Sequence, residues 1–126
     1  FMEMTMAAYE ANLKTMLAIW NTPDPEQRRA MAEASMEHNV HFVDPRHNII
    51  GREPFLAMVE DTRAAFPAAV YRHNSRIEMQ NNFCRHHWAI DMDGKTVMEG
   101  FDVTEVNDAG KVVKVVGFFG RLDPGE

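Results

Sequence analysis

The change of hydrophobic period partway along the chain limits its fold more than any other feature. From Val70 onward the sequence reads as four strand-like runs, Val70–Met79, Phe83–Met92, Lys95–Val106 and Lys111–Phe119. They are joined by Gln80-Asn81-Asn82, by Asp93-Gly94 and by Asn107-Asp108-Ala109-Gly110, all rich in turn-forming residues. Connections this short force neighbouring strands to run antiparallel, because a parallel crossover needs a dozen residues or more. The first third behaves differently. Tyr9, Leu13, Met16, Leu17 and Trp20 recur at helical spacing, which predicts a helix over Thr5–Trp20 that stops at Asn21-Thr22-Pro23. Asp24 then reads as an N-cap with Pro25 at the first helical position and Gln27 completing a capping-box-like pair. This second helix is expected to turn Ala30, Met31 and Ala34 inward.

Between these halves, Val40 and Phe42 alternate with His41 and Val43 in a strand that ends at Asp44-Pro45, since proline cannot donate to a sheet ladder. A short loop through Gly51 leads to a third helix. Pro54 opens it, Phe55, Met58, Val59, Thr62 and Phe66 lie on one face, and Pro67 closes it. The order ααβ-αβββ predicts an α+β fold in which a curved, mostly antiparallel sheet wraps around three helices. The 126 residues suit one domain, 1–126, with no repeat, linker or low-complexity run.

Two aspartates invite a chemical reading. Asp44 shares its strand side with Val40 and Phe42, so its carboxylate is expected at the interior or the mouth of a pocket. There it must be paired, hydrogen-bonded or shifted toward its neutral form. The competing account is an Asp-Pro turn whose side chain caps a nearby amide. Asp102 lies mid-strand, where aspartate packs poorly. Its own side carries Met98, Gly100 and Thr104, and the other carries Val97, Glu99, Phe101, Val103 and Glu105, which leaves its facing open. If it points inward, Gly100 leaves room beside it for a ligand. Met16, Trp20, Phe42, His86, Trp88, Met98 and Phe119 are the expected pocket walls, with His86 sharing a face with Cys84, Trp88 and Ile90. Each aromatic among them is also an ordinary core residue.

Several function classes are disfavoured. The net charge of −6 opposes binding to nucleic acid and to anionic membranes. His38 and His41 point to opposite faces of a strand, as do His86 and His87, and no HExxH or Cys-His framework exists, so no metal site is expected. No glycine-rich phosphate loop or nucleophile elbow is present. The single cysteine, Cys84, excludes an intrachain disulfide and makes the cytoplasm the default location. Neither a signal peptide nor a membrane-length apolar run is visible.

The segment Val43-Asp44-Pro45 through Gly51 resembles the delta-5-3-ketosteroid isomerases, in which a strand ends in Asp-Pro and a glycine precedes a helix. Lys95-Thr96-Val97-Met98-Glu99-Gly100-Phe101-Asp102 is similar to the strand bearing that family's second aspartate, and the spacing on through Asn107, Gly110-Lys111-Val112-Val113 and Phe119-Gly120 matches without a gap. The likeness covers the last two thirds of the chain and fits the wider superfamily of SnoaL-like polyketide cyclases and nuclear transport factor 2-like proteins. It implies a cone-shaped, cystatin-like barrel in which Asp44 is a base and Asp102, kept neutral, donates to a developing enolate. Where the family carries a tyrosine on the first helix, this chain has Met16, whose thioether cannot donate. Tyr9 lies two turns away, ~10 Å along the axis. Losing one oxyanion donor costs about 10²–10³ in rate. The expectation is therefore a cofactor-independent proton-transfer protein, isomerase or cyclase in type, that takes a small apolar carbonyl compound. The alternatives are a non-catalytic binder using the same pocket, and an interaction module whose outer sheet face, with Phe101 and Val103, forms a homodimer.

Overall fold

The computed structural model describes residues 2–125, and side chains from residue 8 onward. Helix α1 spans Met2–Ile19, α2 Pro25–Ser35 and α3 Arg52–Ala65. The strands are β1 Met36–Asp44, β2 His47–Ile50, β3 Val70–His73, β4 Glu78–Gln80, β5 Phe83–Met92, β6 Lys95–Val106 and β7 Val112–Phe119. They form one curved, unclosed sheet in the order β2-β1-β7-β6-β5-β3, with β4 also paired to β5. All pairings are antiparallel except β1 with β7, which run parallel. The helices fill the concave side: α1 packs on β3 and β7, and α3 on β1 and β2.

The turns follow from their residues. Asp93 and Gly94 both have positive φ, 54° and 78°, the geometry of a two-residue hairpin turn that matches strand twist. Asn107 Oδ1 accepts from the amides of Ala109 and Lys111 and so holds the last turn together. Asp24 does cap α2, accepting from the Glu26 amide, with Pro25 in the first turn.

Three expectations need correction. The inward face of α2 is Arg28, Ala32 and Ser35 with Met31 beside them, whereas Ala30 and Ala34 are exposed. Arg28 is buried because its guanidinium donates to the carbonyls of Thr22 and Pro23 and reaches Glu60 at the surface, which ties α1, α2 and α3 together. The stretch after Asp44 is not a loop but a hairpin, in which β2 pairs His47 with Asp44 and Ile50 with His41. The run Val70–Met79 is broken at Asn74–Ile77 into β3 and β4, both pairing with β5. The break suits Asn74-Ser75, which bond across to β5 through the Asn74 amide to His87 O and the His87 amide to Ser75 Oγ.

The core joins Tyr9, Leu13, Met16 and Ile19 of α1 to Phe55 and Val59 of α3 and to Val40, Phe42, Val112 and Val115 on the sheet. Burying one such side chain contributes roughly 1.5–3 kcal/mol. Trp20, past the end of α1, meets Phe42, Phe55 and Tyr71 at centroid distances of 6.3, 5.8 and 5.1 Å. This aromatic cluster closes one wall of a cavity.

Candidate functional site

The cavity opens between the helices and the sheet and has a volume of about 230 Å³. Met16, Trp20, Phe42, Trp88, Met98 and Phe119 border it together with Asp44 and Asp102. Arg46, His47, Tyr71 and Gly117 complete the chemically informative part of its lining. His86 is the one expected wall residue that does not border the cavity; it lies behind Asp102 on the same inward face of the sheet. It shares the buried face of β5 with Cys84 and Trp88, and its cross-strand partner Asp102 borders the cavity where it does not.

Register explains why two distant aspartates meet. Asp102 of β6 pairs with Gly117 of β7, and on the other side of β7 Val43 pairs with Val116, which brings Asp44 beside Gly117. A Cβ at Gly117 would lie 2.9 Å from Asp102 Oδ1 and 3.6 Å from the Asp44 Cβ. Glycine at this position therefore leaves the space between the two carboxyls clear. Gly100 has a different task from the one expected of it. A Cβ there would lie 2.3 Å from Trp88 Cζ2, so the space beside Asp102 is taken by the Trp88 indole. Lying across its partner Gly100, Trp88 donates from Nε1 to Asp102 Oδ1 at 3.0 Å. Phe119 packs edge-on against the same indole at 5.9 Å and fixes its tilt.

The two carboxyls have unlike surroundings. Asp44 Oδ1 accepts from the Arg46 amide at 2.8 Å and contacts His47 Nδ1 at 3.0 Å. Both readings of Asp44 thus hold together: it caps its own Asp-Pro turn and borders the cavity. Its Oδ2 makes no hydrogen bond among the described residues. Arg46 lies over the Phe119 ring at 5.9 Å, at the same edge of the cavity. Asp102 sits in a more apolar setting, with Trp88 Nε1–H as its one hydrogen-bond donor among the described residues. Burial pushes its carboxyl up to about 7, the Trp88 hydrogen bond pulls against that rise, and the nearby Asp44 charge adds to it. His86 Nε2 lies 3.7 Å from Asp102 Oδ2, within ion-pair distance. Burial pushes His86 down to about 4, aided by His73 and His87. Burial thus favours the neutral form of both partners.

Several members of this site were not singled out from sequence: His47, Arg46, Tyr71 and Gly117. His47 follows Asp44 by three residues in a hairpin turn, a spacing that returns the imidazole to the carboxylate once β2 is recognised. Tyr71 alternates inward on β3 opposite Ile90. Burial raises the Tyr71 phenol above its ordinary value, against the pull of Arg63.

Three helices on a curved, unclosed mixed sheet make an α+β fold that matches nuclear transport factor 2-like structures. No family model and no curated protein matches the chain, but solved structures do. A candidate isomerase of the SnoaL-like family from Agrobacterium tumefaciens is 31% identical, with a TM-score of 0.84, over 91% of this chain and 99% of that one. This chain belongs to the SnoaL-like family. An NTF2-like protein from Exiguobacterium sp. 255-15 matches at 14% identity with a TM-score of 0.72, covering 88% and 99%. A candidate polyketide cyclase from Xanthomonas campestris pv. campestris matches at 14% and 0.68, covering 92% and 93%. These last two likenesses establish the fold alone.

Proposed function

We propose that the chain is a cofactor-independent proton-transfer enzyme of isomerase or cyclase type, acting on a small, largely apolar carbonyl compound. One observation carries this reading: two carboxyls face one cavity across a glycine, in surroundings that give them opposite tasks. Asp44, oriented through Oδ1 by the Arg46 amide and His47, keeps Oδ2 for a proton beside a substrate carbonyl. Asp102, held up to about 7, is largely neutral in mildly acidic solution and retains its proton on a substantial fraction of molecules at neutrality. In that form it donates a hydrogen bond where enolate charge develops; ionised, it would repel that charge. Met16 offers no donor from α1, and Tyr71, whose hydroxyl has no hydrogen bond among the described residues, is the candidate second donor. The SnoaL-like candidate isomerase supports the reaction type.

The test is deuterium wash-in from heavy water into a panel of small cyclic and aryl ketones, followed by mass spectrometry. Wild type should exchange the protons beside the carbonyl, and Asp44→Asn should lower that rate at least about a hundredfold. Wild-type exchange no faster than buffer would contradict catalysis, and ligand retained without exchange would leave the binder reading.

We infer that the partner is a second copy of the chain, docked through the outer sheet face. On that face Phe101 stacks on Phe118 at 5.0 Å, with Phe118 47% and Val103 37% exposed. Among the described residues no helix is long and apolar enough to cross a membrane. The buried free thiol of Cys84 fits a reducing, cytoplasmic compartment.

A further inference from the structure

Behind the cavity lies a set of polar groups that the reaction above does not use. Both ring nitrogens of His73 and both of His86 are buried without a protein hydrogen-bond partner among the described residues, as is Thr104 Oγ1. Buried donors and acceptors left this way are costly, and apolar side chains would fill the same space without that cost. His86 is only 2% exposed. On one side its Nε2 lies 3.7 Å from Asp102 Oδ2, the carboxyl oxygen that Trp88 does not occupy. On the other side its ring meets His73, with centroids 4.8 Å apart. His73 in turn borders a second, open cleft with Tyr9, Lys14, Ser75 and Cys84, and this cleft shares no lining residue with the cavity. The three side chains therefore form a row that starts at the cavity and ends at a different surface of the protein.

We propose that Asp102, His86 and His73 form a proton relay joining the cavity to the second cleft, so that Asp102 exchanges its proton with solvent without using the cavity mouth. In the forward step the Asp102 Oδ2–H bond breaks and the proton goes to His86 Nε2, while His86 Nδ1–H gives its proton to His73 or to a buried water. His73 accepts on one nitrogen and releases from the other, which is buried in this structure, to cleft water when local opening exposes it. Asp102 is left ionised, His86 is neutral before and after, and its tautomer has reversed. The return step runs the same transfers backward. The burial that depresses both histidines disfavours the imidazolium form, which is what a tautomer-reversing relay requires. The titratable and charged groups around the row are Asp44 from β1, Tyr9, Glu10 and Lys14 from α1, Arg76 from the segment between β3 and β4, Glu78 from β4, and Cys84, Arg85 and His87 from β5. The purpose of the relay rests on the proposed reaction, because a ligand filling the cavity would block the direct path to Asp102. The path itself does not depend on that reaction.

The experiment is NMR on ligand-free protein carrying ¹⁵N-histidine and ¹³C-aspartate, titrated from pH 5 to 9. His86 is expected to stay neutral throughout while its Nδ1 and Nε2 exchange the roles of N–H and acceptor, with the midpoint shown by the Asp102 carboxyl. In Asp102→Asn the His86 tautomer should be the same at every pH. In His73→Phe the reversal should keep its midpoint, but interconversion of the tautomers should slow at least about tenfold. A His86 that keeps one tautomer in wild type, or that becomes an imidazolium in step with Asp102, overturns the relay. An unchanged interconversion rate in folded His73→Phe overturns its outlet to the cleft. Should that variant fail to fold, the wild-type and Asp102→Asn spectra decide the matter. No turnover enters these spectra, so a failure of the enzymatic reading and a failure of the relay are separately visible.

Discussion

Gly117 shows at the scale of one residue how this site is built. Its missing side chain clears the space between Asp44 and Asp102, where a Cβ would stand 2.9 Å from Asp102 Oδ1. Gly117→Ala should push the Asp102 carboxyl off Trp88 and destabilise the fold by about 1–3 kcal/mol, read from denaturant midpoints. Trp88→Phe tests the opposing forces on Asp102. The indole hydrogen bond favours the carboxylate, so its loss should move the Asp102 midpoint further up. A downward move, followed by carboxyl NMR, would mean that the indole excludes water more than it bonds. Part of this was visible in the sequence: Asp44 ends an apolar alternation and so pointed inward, whereas the mixed neighbours of Asp102 in mid-strand left its facing open. Gly117 was not, because its importance appears only when β1, β7 and β6 are set side by side.

At the scale of elements, local signals worked where the chain's own neighbours decide the structure. Strands β5 and β6 end where the alternation ends, and Asp93-Gly94 turns as its residues require. Boundaries set by distant partners were less legible. β2 carries a short, mixed pattern, and it forms because β1 offers it an antiparallel edge. The inward face of α2 was misjudged because Arg28 reaches the carbonyls at the end of α1 and is buried by those bonds, against its usual preference. A similar long-range clamp fixes the edge strand β3. The Asn21 amide donates to Tyr71 O at 2.7 Å and accepts from the Tyr71 N–H at 2.8 Å, as a neighbouring strand would. Asn21→Ala should cost about 1–2 kcal/mol and raise hydrogen exchange at Tyr71 more than at Trp88. Equal protection at Tyr71 in both proteins would show that the β3–β5 ladder holds this edge unaided.

For the whole molecule, the outer sheet face and the buried acid make separate predictions. Val103→Glu places a charge on the proposed dimer face, and light scattering is expected to report a dimer for wild type and a monomer for the variant. A wild-type monomer at micromolar concentration would contradict the dimer. The acid links stability to pH with a definite sign. A carboxyl raised in the folded state holds a proton that the unfolded chain has already lost, so stability is greatest below the unfolded value. It falls as pH rises from about 4 to about 7, by at most about 4 kcal/mol. Asp102→Asn should flatten that fall and be the more stable protein at pH 8, provided its amide accepts the Trp88 hydrogen bond. The neutral Asp102 underlies both the proposed chemistry and this pH dependence, and titrating its ¹³C-labelled carboxyl by NMR in the ligand-free protein measures it directly. The account predicts a midpoint of about 7; a midpoint near 3.8, the ordinary value for aspartate, would contradict it.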